Sequence, residues 1–301
     1  MYIVFNKEEG GDYLKHILES ILRFFCVVFG LILLSAFVGL FTKGIQLNIG
    51  MYLDNIIQII QGLTSPQNIV FIGPTGFEYS IFIDFWDNYF YSMILFLTAL
   101  LISIVIGIFI TYLTILLPQK SNQFIVKIVS LLESLPDLLI IIIIQLAVLF
   151  YYKRTGTLLF STAGTSQNKT YFLPMISLSL IPAVMVFKVI LYLANEELEK
   201  TYILLAKSKG FNSSELFFSH VLRNIAPNII IHSKSIILIL LSSMVVFEKL
   251  FNINGIFSFI IAYPNPDIIA FTLIMIYIPI FILYTLVTKI IYKQTGQRLE
   301  W

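Results

Sequence analysis

The sequence predicts an all-α integral membrane protein with about six transmembrane helices. Of its 301 residues, 58% are hydrophobic and only 12% are charged, whereas a soluble domain usually has about 25% charged residues. Several apolar runs also reach the roughly 20 residues that cross a bilayer as a helix. Backbone polar groups in lipid must be satisfied within their own segment, so these runs are predicted to be helices rather than isolated strands.

Six apolar segments meet this length criterion. They are Ile21–Phe41, Tyr89–Leu117, Phe124–Tyr151, Tyr171–Ala194, Ile229–Leu250 and Ile268–Lys289. The first has no A-x-A-type cleavage site at its end and is longer than a signal-peptide core, which predicts an uncleaved span. We therefore expect residues 1–301 to form a single transmembrane domain.

The distribution of lysine and arginine predicts that both termini are cytoplasmic. In this orientation 14 of the 19 basic residues lie on the inner side and five on the outer side. The outer five are Lys43, Lys153, Arg154, Lys169 and Lys249. Because basic residues accumulate in cytoplasmic loops, the opposite orientation is disfavoured. Residues 195–228, between the fourth and fifth spans, are then cytoplasmic.

The segment between the first two spans contains a predicted amphipathic helix. In "MYLDNIIQIIQGL", apolar residues recur at helical spacing at Leu53, Ile56, Ile57 and Ile60, and polar residues fall on the other side. Such a helix lies at the outer membrane interface or caps the other helices. We favour a packing role for it, with a gate or a contact to an outer partner as the alternative.

Residues 195–228, which we call the polar loop, are polar and basic in an otherwise apolar chain. Leu198, Tyr202 and Leu205 recur at helical spacing, and Gly210 stands where a glycine ends a helix. A loop that merely linked two spans would need no such helix. The first half of the polar loop is therefore predicted to be helical.

The second half of the polar loop carries the signals of another helix. Asn212 and Glu215 fit a capping box, and Pro227 should bend this helix or end it before the fifth span. The pattern predicts a helix, a sharp turn and a second helix. This unit either covers the base of the helices or docks a cytoplasmic protein.

Two carboxylates stand in the predicted third span. Glu133 and Asp137 are four residues apart on either side of Pro136, so a continuous helix would place them on one face. Intramembrane carboxylates are costly and usually face a cavity or a partner. They either belong to a translocation path or lie at the inner interface. Glu248, near the outer end of the fifth span, is expected to order the loop that follows it.

The sequence "YILLAKSKGFNSSELFFSHVLRNIAPN" resembles the EAA-type cytoplasmic loop of permeases from binding-protein-dependent ABC importers. Within that family it is most similar to the branch that transports oligopeptides, dipeptides and nickel. The matching positions are Tyr202, Ala206, Lys207, Lys209, Gly210, His220, Leu222, Arg223, Asn224 and Pro227. Matches to other family elements are Ser134, Pro136, Glu248, Phe251, Gly255, Asp267, Tyr292 and Arg298. The resemblance thus extends over most of the chain.

The resemblance implies a helical bundle like that of a type I importer permease, with an importer core at about 89–294 and a coupling loop at 195–228. The residues it implies for coupling to the ATPase are Tyr202, Ala206, Lys207, Lys209, Gly210, Glu215, His220, Arg223 and Asn224. It implies two cytoplasmic ATPase subunits, a second homologous permease and an external substrate-binding protein, in a bacterial-type inner membrane. Peptides are the first expected substrate, and nickel or another chelated metal is the second.

This chain is not expected to hydrolyse ATP. It contains no G-x-x-x-x-G-K-[ST] sequence, the motif whose backbone cradles nucleotide phosphates. ATP and Mg²⁺ are therefore expected on partner subunits, with no cofactor in this chain. A net charge of +2 gives no argument for nucleic acid as a partner.

Three other classes of protein are less well supported. A secondary transporter would need charged residues near the membrane midplane and broken helices, for which Glu133 and Asp137 are the main candidates. A membrane-embedded enzyme would need a nucleophile–base or metal constellation, which three histidines and Cys26 do not supply. An exporter or accessory permease that shares the polar loop is the third alternative.

Overall fold

A computed structural model describes residues 8–38, 48–74, 76–165 and 168–296, with side chains from residue 18 onward. Within this part of the chain, six helices are long and apolar enough to cross a membrane. They are Leu18–Ala36, Ile81–Leu116, Asp137–Thr155, Phe172–Leu198, Ser213–Leu250 and Pro266–Thr295. The predicted all-α fold with six spans is confirmed. Lys7, Lys43, Arg298 and the predicted end of the first span at Phe41 lie outside the described residues.

The secondary structure is almost entirely helical. The helices are α1 (Glu8–Ala36), α2 (Ile49–Thr64), α3 (Ile81–Leu116), α4 (Gln119–Ser134), α5 (Asp137–Thr155), α6 (Phe172–Leu198), α7 (Thr201–Ser208), α8 (Ser213–Glu215), α9 (Leu222–Leu250), α10 (Ile256–Ala262) and α11 (Pro266–Thr295). A short antiparallel hairpin, β1 (Val70–Ile72) with β2 (Glu78–Ser80), precedes α3. A π-turn at Leu216–Val221 joins α8 to α9.

The helices form two compact units. The first comprises Met1–Trp86 and Ile260–Tyr284, and the second comprises Asp87–Phe259 and Thr285–Trp301. In the first unit, Ala36, Ile59 and Ala270 form a buried apolar cluster. The α2 helix is anchored there by polar contacts to the end of α1, because the Asn55 side-chain amide donates to the Ala36 carbonyl at 3.3 Å.

The α2 helix is amphipathic, but its buried face coincides with the predicted apolar stripe only at Ile56. Leu53, Ile57 and Ile60 are each at least half exposed, whereas Asn55 and Ile59 are buried. Asn55 reaches the Ala36 carbonyl, and a buried amide that keeps a hydrogen bond avoids the cost of desolvation. The packing interpretation therefore holds for the Asn55 side of the helix and for Ile56, which packs against the buried cluster, whereas Leu53, Ile57 and Ile60 do not pack inward.

The predicted third span, Phe124–Tyr151, is wrong as a single helix. The chain breaks between α4 and α5, where Leu135 adopts an extended backbone with φ −83° and ψ 136°. Pro136 explains the break, because proline lacks an N–H and disfavours a helical conformation in the residue before it. Of the two helices α4 and α5, only α5 is long and apolar enough to cross a membrane.

The core of the second unit is built on α6, which approaches α3 very closely. A Cβ on Gly107 would overlap the Val186 side chain and lie 3.0 Å from the backbone nitrogen of Phe187. The Thr111 hydroxyl donates to the Phe187 carbonyl at 3.3 Å across the same contact. A small residue here lets two membrane helices meet backbone to backbone.

Pro227 does not end the second helix of the polar loop, contrary to one of the two predicted outcomes. It lies inside α9, which continues to Leu250. The irregular geometry comes before it, in the π-turn at Leu216–Val221. Such wide turns are rare within helices and often occur at functional sites.

Candidate functional site: the polar loop and a polar niche

The first half of the polar loop ends in the predicted glycine turn. Gly210 has a φ of +88°, and its N–H donates to the Lys207 carbonyl at 3.0 Å, while Phe211 N–H reaches the Ala206 carbonyl at 3.4 Å. This is the bonding pattern of a Schellman motif, which favours glycine at the left-handed position. No atom lies within 4 Å of a Cβ placed on Gly210. The constraint on this residue is therefore conformational and not steric.

The capping box that starts the second helix is confirmed. Asn212 Oδ1 accepts from the Glu215 N–H at 2.8 Å, and Glu215 Oε2 accepts from the Asn212 N–H at 3.1 Å. The Phe211 ring packs edge-on against His220 with 5.4 Å between ring centroids. Two reciprocal caps and one ring contact thus fix the direction of the chain as it leaves α7.

A buried carboxylate that sequence analysis missed joins the two halves of the polar loop. Glu197 is 5% exposed and accepts hydrogen bonds from Lys200 at 2.7 Å, from the Tyr202 hydroxyl, and from the Asn224 amide at 3.4 Å. The Asn224 amide also donates to the Tyr202 hydroxyl at 2.7 Å. We call these four side chains the Glu197 network. It links the end of α6 to α7 and to the start of α9.

Tyr202 keeps its proton in this network. Burial, assisted by the hydrogen bond to Glu197, raises the pKa of Tyr202 to about 12. The phenol is therefore a neutral donor to the carboxylate throughout the physiological pH range. In the sequence, the network was indicated only by Tyr202 and Asn224, which both match the family pattern. Nothing in that pattern indicated Glu197.

Some of the residues predicted to couple to an ATPase are held by contacts within the fold, and the others are exposed on the surface. Ala206 is buried, and Arg223 donates to the Gln294 carbonyl at 2.5 Å near the end of α11. Lys207, Lys209, Gly210 and Glu215 are exposed. Large apolar side chains are exposed in the same part of the chain. These are Leu204, Leu205, Phe211 and Phe218.

Glu133 and Asp137 do not share a helix face, which corrects the prediction. Glu133 lies at the end of α4 and pairs with Lys188 of α6. Asp137 begins α5 and accepts a hydrogen bond from the Ser243 hydroxyl at 2.9 Å. The break at Pro136 separates them, so the two carboxylates have different surroundings and different partners.

Asp137 lines a small cavity inside the second unit. We call this site the polar niche; it is lined by Asp137, Ser177, Leu178, Pro182 and Ser243, among others, and has room for about one water molecule. Ser243 lies seven residues before the end of α9, which is about 10 Å along a helix. The niche therefore lies about 10 Å from this end of α9, at the first residue of α5.

A second buried carboxylate orders the segment after the fifth span, as predicted. Glu248 is 1% exposed and accepts from the Ser92 hydroxyl at 2.6 Å and from the Ser258 N–H at 2.7 Å. Ser92 in turn accepts from the Ile256 N–H at 2.8 Å. A Cβ on Gly255 would overlap both Glu248 and Ser92. We call this arrangement the Glu248 clasp; it holds the start of α10.

The fold and the site together define a helical, multi-pass membrane protein with a capped and hydrogen-bonded polar loop between two spans. Residues 103–300, more than half of the chain, match the family described as binding-protein-dependent transport system inner membrane component. The chain belongs to this family and is a membrane permease of the ABC transport type. In the described part of the chain, no group of three or more His, Cys, Asp or Glu residues is placed to hold a metal ion.

The chain is also similar to a curated transport permease. The dipeptide transport system permease protein DppB of Lactococcus lactis subsp. cremoris (strain MG1363) is 30% identical over 135 residues. The aligned region covers 44% of this chain and 45% of that protein. The match therefore spans about half the length of the relative.

Proposed function

We propose that this chain is the transmembrane permease subunit of an ATP-driven importer, and that the polar loop is its contact with the ATPase. The observation that carries the proposal is the construction of the polar loop. It has two caps, a left-handed glycine and the Glu197 network, yet it leaves Leu204, Leu205, Phe211 and Phe218 exposed. A rigid loop with an exposed apolar face is suited to a protein groove.

The partners follow from this role. Two cytoplasmic ATPase subunits would bind ATP and Mg²⁺ and would each receive one such loop, this one and its counterpart on a second homologous permease. An external binding protein would deliver the solute. ATP binding would pull the two loops together and bias the spans between two arrangements, through differential contacts to each.

The polar loop is built to transmit such a pull. Glu197 ties α7 to the end of α6 and to the start of α9, and Arg223 ties α9 to the end of α11. A displacement of α7 would therefore be passed to three membrane helices through hydrogen bonds that include charged groups, which are the stronger kind.

Small peptides are the proposed substrate. The support is the similarity to a dipeptide transport permease, together with the match of the polar loop to the peptide branch of the family. Residues 195–228 act as the coupling loop in this proposal, and Asp137 belongs to the translocation path.

Leu205→Glu tests the docking role directly. Leu205 is 57% exposed and makes no core contribution, so the variant should fold and insert normally. A charge placed in an apolar contact should weaken the hold on the ATPase by about tenfold or more. The measurement is the amount of ATPase that copurifies with the permease. Leu53→Glu, at a 54% exposed leucine of α2, is the control and should recover a normal amount. Equal recovery from both variants would contradict the docking role.

The proposed orientation has a separate test. In a Cys26→Ser background, Gln67→Cys should react with a membrane-impermeant thiol reagent added outside intact cells, because residue 67 precedes the hairpin on the proposed outer side. Ser213→Cys, exposed in the polar loop, should react only after the membrane is opened. The reverse labelling pattern would place the polar loop outside and remove the ATPase from reach.

A further inference from the structure

The polar niche contains oxygen atoms that lack hydrogen-bond donors. Within the described residues Asp137 has no basic partner, and the side-chain donor to its carboxylate is the Ser243 hydroxyl. Ser177 is 3% exposed, and its hydroxyl has no hydrogen-bond partner in the described structure. An unpaired buried polar group is costly, and this one lines the same cavity as the carboxylate.

The α6 backbone contributes a third acceptor. Pro182 lies inside α6 and has no N–H, so the carbonyl four residues earlier, that of Leu178, lacks its usual helical donor. Leu178 and Pro182 both line the cavity. The niche thus combines one negative charge, one unpaired hydroxyl and one carbonyl released from the helix, around a space the size of a water molecule.

We propose that the polar niche binds a primary ammonium group. An –NH₃⁺ group has three donors and no acceptor, it is about as large as a water molecule, and its charge balances that of Asp137. A water molecule would leave the carboxylate uncompensated, and Ca²⁺ or Mg²⁺ would require several more oxygen ligands. The ammonium comes from one of two sources, the free amino group of a solute in transit or a free ammonium ion.

The first source gives the substrate class: solutes with an unblocked, protonated amino group. This assignment of a substrate class depends on the proposed function, whereas binding by the niche does not. The site would stabilise the amino end of the solute part-way through the spans, where a bare cation is otherwise costly.

The test measures the thermal stability of the full-length permease in lipid nanodiscs with methylammonium as the probe. Methylammonium chloride should raise Tm, whereas equal concentrations of tetramethylammonium chloride, which has no N–H donor, and of sodium chloride should not. The shift should weaken by about tenfold in apparent affinity in Asp137→Asn, since a hydrogen bond to a charged group is lost. An equal rise with sodium would identify a site for a free inorganic cation and would overturn the proposal.

Ser177→Ala separates a binding role from a structural one. Because the Ser177 hydroxyl has no partner, its removal should leave the Tm of the unliganded protein unchanged or slightly higher. The methylammonium shift should nevertheless require several-fold more ligand. A lower unliganded Tm with an unchanged shift would mean that Ser177 supports the fold and that the niche does not bind ammonium.

The assay does not involve an ATPase, so its result is independent of the coupling proposal. If methylammonium raised the Tm of the permease but no ATPase copurified with it in the separate copurification experiment, the niche would be upheld and the proposed function contradicted. If methylammonium did not change Tm while ATPase recovery and solute uptake were normal, the proposed function would be upheld and the niche contradicted. Asp137→Asn should also reduce uptake of dialanine by the assembled importer, and unchanged uptake would exclude the niche from the translocation path.

Discussion

Gly210→Val is expected to leave the permease in the membrane and to remove most of its binding to the ATPase. Gly210 has a φ of +88°, in the left-handed region where a Cβ costs roughly 1–2 kcal/mol, and a β-branched side chain costs more. The strain would be relieved by rotating α7 against α8. Because 1.4 kcal/mol corresponds to a factor of about ten, we expect about a tenfold loss in copurified ATPase and in substrate-stimulated ATP hydrolysis.

Gly156→Val is the matched control for this prediction. Gly156 also has a positive φ, of +71°, and a Cβ added to it would likewise have no atom within 4 Å. It follows α5, far along the chain from the polar loop. The same backbone strain at this site should leave ATPase recovery normal. If the two variants lost the same amount of ATPase, a general loss of stability would explain the result and the polar loop would have no special role.

Gly210→Asn refines the comparison. Asparagine tolerates the left-handed conformation better than other residues with a side chain, and the space around Gly210 is open. This variant should therefore recover most of the ATPase that Gly210→Val loses. Such a ranking of glycine, asparagine and valine would attribute the effect to backbone conformation rather than to side-chain volume.

The parts of the fold that depend on local patterns could be predicted from the sequence. The spans follow from apolar length, and the turn of the polar loop follows from one glycine and one capping pair. Each signal acts within a few residues of its position, so a single sequence contains it. Gly210 and the Asn212–Glu215 pair were therefore predicted correctly, with their physical roles.

The incorrect predictions concern segments whose structure is determined by contacts between residues distant in sequence or by a backbone restriction. Helical spacing identifies an apolar face of α2, but of that face Ile56 alone packs against the buried cluster, beside Asn55, which bonds to Ala36. The third span looked continuous because hydropathy ignores the restriction that Pro136 imposes on Leu135. This last error was avoidable, since the proline itself was visible in the sequence.

The candidate sites were the hardest to predict because their members are distant in sequence. Glu197 meets Asn224 across 27 residues, and Asp137 meets Ser243 across 106. Ser177 gives no sequence signal at all, because a lone serine in an apolar helix usually bonds to its own backbone. Its significance lies in a missing hydrogen bond, which only the three-dimensional structure reveals.

The Glu248 clasp leads to the second large expected effect, on stability. Glu248→Ala would leave the Ser92 hydroxyl and the Ser258 N–H without their acceptor. Each unsatisfied buried group costs roughly 1–3 kcal/mol, so we expect a loss of about 2–4 kcal/mol and a Tm lower by roughly 5–10 °C. Glu248→Gln keeps one acceptor oxygen and should lose about half as much. The measurement is thermal unfolding of the purified permease.

Gly255→Ala should weaken the same clasp without removing the carboxylate. A Cβ at this position would overlap Glu248 and Ser92, so Glu248 would have to move away from its donors. Gly30→Ala is the control, since Gly30 lies inside α1 with no atom within 4 Å of a Cβ, and alanine there should be neutral or stabilising. Cleavage by an added protease within residues 252–262 should increase in Gly255→Ala and Glu248→Ala alike. If both variants kept the wild-type Tm and the wild-type cleavage rate, the hydrogen bonds of Glu248 would contribute nothing to holding α10, and the carboxylate would need another explanation.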